Sequence, residues 1–123
     1  MKRINDAFGH EAGDCALVDI AALSRVATCP GDVVARLGGD ELVVLVLGSE
    51  SDGAARMSRL RHGIAAFNAA NERSYELWVS IGCAVYQPLC GRTLDELLCT
   101  ADVLMYEDKQ QRRLRGSLPV RAA

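Results

Sequence analysis

Residues 36–42, RLGGDEL, divide one long apolar stretch into two. Val33-Val34-Ala35 run up to the segment, and Val43-Val44-Leu45-Val46-Leu47 leave it. Glycine accepts positive φ without steric penalty, so Gly38-Gly39-Asp40-Glu41 predicts the tip of a tight β-hairpin. The arm after the turn is apolar at every position, which predicts a central strand covered on both faces. The turn also sets two carboxylates side by side. Adjacent acids repel, so they are solvated or a cation sits on them. An acidic turn exposed to water is one reading. The other is a metal–nucleotide site, because Mg²⁺ pairs one or two carboxylates with substrate phosphates and the glycines leave room for a bulky ligand.

The elements around this hairpin set the fold class. A short helix is predicted over Lys2–Phe8, followed by a loop at residues 9–13. Asp14 reads as the N-cap of a second helix, whose buried face is Leu17, Ile20, Ala21, Leu23, Ser24 and Ala27. Pro30-Gly31 ends it. Beyond the hairpin, residues 51–71 predict a helix with Met57, Leu60, Ile64 and Phe67 on one stripe. Leu77, Val79, Ile81, Cys83 and Val85 then alternate with their neighbours at the period of a half-buried strand. Thr93 and Glu96 form a capping box, and Leu94, Leu97, Leu98, Ala101 and Met105 give the last helix its buried face. The order predicts an α/β sandwich with a mixed sheet in one domain over residues 1–123. A helix with no strand before it is unusual at the start of such a domain, so an upstream strand is expected, with Met1 inside a longer reading frame.

Bulk properties exclude several classes. The net charge is −2 over 123 residues, which argues against a nucleic-acid binder. No apolar run is long enough to span a bilayer, and no apolar core follows Lys2-Arg3 to make a signal peptide. The 5 cysteines include no C-x-x-C pair and the chain has only 2 histidines, so a zinc site is not expected. The cysteines read as reduced thiols of a cytoplasmic protein, with Cys83 and Cys99 as small core residues.

Other polar residues add to the hairpin. Asn5, His10 and Asp14 crowd a glycine-rich stretch. A carboxylate and an amide can together read a guanine edge, although each of these residues is also an ordinary cap or turn residue. Lys109 and Arg113 share a helix face four residues apart, suited to clamping phosphates or to complementing the helix dipole.

Four segments, in order, resemble the GGDEF domain of the diguanylate cyclases. KRINDAFGHEAGD is similar to K-x-x-N-D-x-x-G-H-x-x-G-D, and ARLGGDEL to R-x-G-G-[DE]-E-F. VSIGCAVY resembles S-x-G-x-A, and ADVLMYEDKQQRR resembles A-D-x-A-M-Y-x-A-K-x-x-G-R. The resemblance implies a fold like the palm of nucleotide cyclases, a central sheet flanked by helices. It implies condensation of two GTP into cyclic di-GMP with release of pyrophosphate, in a homodimer that holds one GTP per domain. Asn5, His10 and Asp14 would contact the substrate, and Gly38 and Gly39 would admit it to the backbone. Asp40 and Glu41 would serve Mg²⁺ or Mn²⁺, with Asp40 the candidate base. Lys2 would stabilise charge on the phosphates, and Lys109 and Arg113 would hold the terminal ones. An upstream sensory domain is the usual partner in cis.

Three departures from the pattern matter. The family's first strand, with a metal-binding aspartate, would end just before Lys2 and has no counterpart in these residues. The chain is therefore expected to be N-terminally truncated and impaired, the alternative being an inactive module that binds GTP or mediates regulatory contacts. The family's inhibitory R-x-x-D reads Cys29-Pro30-Gly31-Asp32, retaining only Asp32. Leu42 replaces the signature phenylalanine, and Arg112 the glycine before Arg113.

Overall fold

The structure, a computed structural model, describes residues 1–115. These fall into two compact units, Met1–Trp78 and one beginning at Val79, each described by itself. The first holds α1 (Lys2–Phe8), α2 (His10–Ala27), β1 (Val33–Gly38), β2 (Glu41–Leu45) and α3 (Glu50–Ala70). The second holds α4 (Leu94–Arg115).

The core of the first unit lies between α2 and α3. Ala16, Ile20, Ser24 and Ala27 recur at helical spacing and are buried, with Ile64 of α3. Ser24 is a buried hydroxyl satisfied locally: it donates to the Ile20 carbonyl at 2.8 Å. Leu17, Ala21 and Leu23 of the expected stripe are half-buried. Ser49 and Asp52 form a capping box at the start of α3, and Asn71 closes its end in the left-handed region at φ 52°. Just beyond, Leu77 is 1 % exposed and its backbone is paired by a side chain. Asn68 Nδ2 donates to the Leu77 carbonyl at 3.0 Å, and the Leu77 amide donates to Asn68 Oδ1 at 2.8 Å. One amide side chain thus does the work of a strand neighbour.

The hairpin forms where the glycines predict it. β1 and β2 are antiparallel, Val33 opposite Leu45 and Gly38 opposite Glu41, with an irregularity between Arg36 and Gly38. Gly39 has φ +52°, which confines that corner to glycine or a near equivalent. The α/β class holds. The capping box at Thr93 also forms: the Thr93 amide donates to Glu96 Oε2 at 2.8 Å, and the Glu96 amide to Thr93 Oγ1 at 3.2 Å.

Several local expectations are corrected. α2 starts at His10, so Asp14 lies one turn inside it and is no N-cap. Gly9 breaks the chain at φ +89°, and its carbonyl accepts the Gly13 amide at 3.3 Å, opening α2 on backbone bonds alone. Among the described residues the sheet has two strands, so β2 has no second ladder partner. Val43 and Val44 are half-buried, while Leu45 and Leu47 are exposed rather than covered. Residues 77–85 form no strand, because a strand needs a ladder partner and none pairs with them. The second unit instead lays this segment along α4. The Ile81 amide donates to Asp108 Oδ2 at 3.0 Å, and a side chain at Gly82 would overlap the Ala101 carbonyl. Cys83 and Cys99 are exposed, not core. Leu94 is exposed too, and Leu97, Leu98, Ala101 and Met105 are only half-buried. Arg112, in place of the family's glycine, pairs with Asp108 one turn back at 3.0 Å, and α4 runs on to Arg115.

Candidate functional site

A cavity of about 430 Å³ opens where α1, the first turns of α2 and the hairpin tip converge. Lys2, Asn5, His10, Asp14, Gly39 and Asp40 line it, together with Met1, Asp6, Gly13, Leu17 and Arg36. Residues up to 39 positions apart in sequence thus meet around one space. Gly38 and Glu41 do not line it; they face each other as the last pair of the ladder. Lys109 and Arg113 stand on α4, in the other unit.

Two glycines shape the helical wall. The Gly9 break lets α1 turn back against α2 instead of extending it. Gly13 then provides the contact surface, since a Cβ there would overlap Asn5 Oδ1. That oxygen is buried and has no hydrogen-bond partner among the described residues. A buried carboxamide oxygen without a donor is uncommon and unfavourable by about 1–3 kcal/mol, so its setting calls for a reason.

The hairpin wall is fixed by Arg36, to which the sequence reading assigned no role. Its Nε and Nη2 donate to the Gly39 carbonyl at 3.0 and 2.7 Å. The planar guanidinium fork thereby closes the turn that presents Asp40. The signal lay in the sequence, as an arginine three residues before a turn glycine. The Asp40 side chain is 57 % exposed, and the Met1 amino nitrogen lies 3.8 Å from its Oδ2. No cluster of three or more His, Cys, Asp or Glu suited to a metal exists among the described residues. The donor chemistry still fits a hard divalent cation carried on phosphates, because Mg²⁺ takes only one or two protein carboxylates in that mode. Asp40 offers such an oxygen at the cavity wall.

Asp32 is engaged elsewhere. Its side chain is 2 % exposed and accepts the Cys29 amide at 2.8 Å, the Leu47 amide at 3.1 Å and Arg56 Nε at 3.0 Å. The Cys29 amide first, and the Arg56 guanidinium next, hold its carboxyl below the usual carboxylate range. Its acceptor sites are spent tying the end of α2 to β2's exit and α3. Arg59 also reaches Cys29 Sγ at 3.6 Å. No helix among the described residues is long and apolar enough to cross a membrane.

Comparison with known proteins gives a consistent result. A sequence profile of the family "Diguanylate cyclase, GGDEF domain" matches residues 1–115. The bifunctional diguanylate cyclase/cyclic di-GMP phosphodiesterase MucR of Pseudomonas aeruginosa is 38 % identical over 114 residues, covering 92 % of this chain and 16 % of that protein. Diguanylate cyclase TpbB of Pseudomonas aeruginosa is 42 % identical over 117 residues, covering 92 % of this chain and 26 % of that protein. The probable diguanylate cyclase DgcC of Escherichia coli is 32 % identical over 116 residues, with 94 % and 31 % covered. The chain therefore spans less than a third of the length of these relatives. Among solved structures, the diguanylate cyclase SiaD of Pseudomonas aeruginosa, crystallised with its activator SiaC, superposes with a TM-score of 0.64. The two are 23 % identical, and the match covers 89 % of this chain and 42 % of that one.

Proposed function

The chain belongs to the GGDEF family of diguanylate cyclase domains, and from that premise we propose that its α1–hairpin cavity binds GTP and that two such domains, face to face, condense two GTP into cyclic di-GMP. The observation that carries this reading is the convergence of Lys2, Asn5, His10, Asp14, Gly39 and Asp40 on one cavity.

The chemistry follows from the groups present. Guanine offers N–H donors and acceptors along its edges, which suits the Asn5 amide and the Asp14 carboxylate lining the cavity. His10 closes the same end. The Gly39 backbone at the turn leaves space for the triphosphate, and Lys2 supplies positive charge at the phosphates. Each ribose 3′-oxygen attacks the α-phosphorus of the facing nucleotide. The new P–O bond replaces the bond to the β-phosphate, and pyrophosphate leaves. The 3′-hydroxyl proton goes to a base, for which Asp40 is the candidate. A divalent cation, Mg²⁺ or Mn²⁺, would be held by Asp40 with Glu41 in support, and would supply charge neutralisation at the phosphates. Lys109 and Arg113 are proposed as the grip on the terminal phosphates. Use of GTP suits a cytoplasmic activity, and a sensory segment in cis is proposed as its control.

One observation favours a second reading. Asn5, His10 and Asp14 line the cavity on its helical side, apart from the carboxylates of the hairpin, so GTP binding without turnover is a function this wall supports by itself. Incubating the concentrated protein with GTP and Mg²⁺ separates the two. Cyclic di-GMP on chromatography supports the cyclase. Saturable GTP binding by calorimetry without product supports the binding module, and neither signal defeats both.

A further inference from the structure

Lys2 and Asn5 stand on a helix of seven residues, none of which is fully buried. A helix that short has no stability of its own in water, so its pose comes from contacts outside it. One contact is the seat of Asn5 on Gly13. Another lies at the last residue of α1, where the Phe8 ring meets the Tyr75 ring at 6.1 Å between centroids and 57° between planes. That is the tilted arrangement aromatic pairs prefer.

Phe8 is half exposed and cannot anchor itself, but Tyr75 is buried and fixed from below. Its hydroxyl donates to Asp19 Oδ2 at 3.3 Å. Arg73 holds both oxygens of the same carboxylate, Nε to Oδ2 at 3.0 Å and Nη2 to Oδ1 at 3.1 Å. Asp19, on α2, is only 14 % exposed. The bidentate pair fixes the carboxylate, the carboxylate holds the phenol, and the phenol ring meets Phe8 at the end of α1. None of these four residues lines the cavity.

We propose that Tyr75, oriented by Asp19 and Arg73, is a positioning residue for nucleotide binding: through the Phe8 ring it sets the pose of α1, and so the presentation of Lys2 and Asn5 to a guanine nucleotide. This rests on the GTP reading given above. Tyr75 touches no substrate; it acts through Phe8. The segment that follows α3 is thereby coupled to the site without belonging to it.

The test compares Phe8→Ala, Tyr75→Leu, their combination and Tyr75→Phe by amide hydrogen exchange and by titration with GTP and Mg²⁺. Phe8→Ala and Tyr75→Leu are each expected to speed exchange in α1 about tenfold, while α2 and α3 stay within about twofold. Each raises the GTP dissociation constant roughly tenfold, and the double variant adds little to either, as residues in one chain of contacts do. Tyr75→Phe keeps the ring but loses the hydroxyl that Asp19 holds, so its affinity falls between wild type and Tyr75→Leu, and an affinity equal to wild type would remove Asp19 and Arg73 from the proposal. Turnover shows the same split, with KM raised and kcat within about threefold of wild type. Wild-type α1 exchange and affinity in Phe8→Ala would overturn the proposal, as would strictly additive effects or loosening spread evenly over α2 and α3. If wild-type protein binds no GTP, the underlying reading fails, and the proposal fails with it; α1 exchange then shows separately whether the Phe8–Tyr75 coupling exists.

Discussion

The carboxamide oxygen of Asn5 occupies the space in which residue 13 would carry a Cβ. In a free helix, Gly→Ala stabilises by roughly 1 kcal/mol. At position 13 the sign reverses, because the methyl overlaps Asn5 Oδ1 and drives the amide or all of α1 outward. Gly13→Ala is expected to lose about 1–3 kcal/mol of stability, the range of an overpacked contact. Urea denaturation measures that loss. GTP affinity falls about tenfold or more in the same variant, the equivalent of at least 1.4 kcal/mol.

Arg36 and Gly39 supply the second prediction. Arg36→Lys keeps the charge but cannot place two N–H groups on the Gly39 carbonyl. Stability changes by about 1 kcal/mol or less, since these bonds are exposed. Turnover falls about tenfold through misplacement of Asp40. Melting curves and initial rates, measured on the same samples, check both halves.

Asp40 carries the third. Asp40→Asn keeps size and removes charge and basicity. Turnover is expected to drop by about 10²–10⁴, with GTP affinity within about threefold of wild type. A chelator should abolish product formation in the wild type, and Mg²⁺ or Mn²⁺ should restore it.

Asp32 gives a pH dependence. The Cys29 amide and Arg56 lower its folded pKa, so the unfolded chain binds the proton more readily. Its contribution is therefore complete above the unfolded value of about 3.9 and is lost as pH falls through the folded one. Asp32→Asn is expected to be less stable than wild type at pH 7, and the gap should close below about pH 4. Denaturation series at matched ionic strength test this. The same variant probes feedback. With its acceptor sites filled by Cys29, Leu47 and Arg56, Asp32 should contribute nothing to inhibition by cyclic di-GMP.

How much of this was legible in the sequence divides by range. The hairpin at Gly38-Gly39 and the capping box at Thr93 and Glu96 are local devices, set by residues within a turn of one another. They appear in the structure as the sequence predicts. Residues 77–85 carry a period of two just as plainly, yet whether they form a strand depends on a neighbour the pattern does not name. Cys83 and Cys99 read as core residues because cysteine is a small and usually buried side chain, yet both are exposed. Asp14 has the chemistry of a cap, but the Gly9 break moved the cap of α2 five residues upstream. At the candidate site, Lys2, Asn5, His10, Asp14 and Asp40 stand in the motifs that resemble the family's, and all five line one cavity. What holds them could not be read from those motifs: the Asn5 seat on Gly13, the Arg36 fork and the Asp19–Arg73–Tyr75 chain are facts of packing.

Gly9 remains, with open space where its side chain would be. Nothing steric keeps a larger residue out, so its only service is its backbone angle. α1 and α2 are two stretches of helix-compatible sequence separated by that single angle. An L-residue at position 9 favours ordinary helical φ, which would splice the two into one straight rod of 26 residues, Lys2 to Ala27. Asn5 and Gly13 would then lie eight residues, about 12 Å, apart along one axis and could not touch. The site exists because the chain is creased there, and a mutation that improved local helicity would erase it.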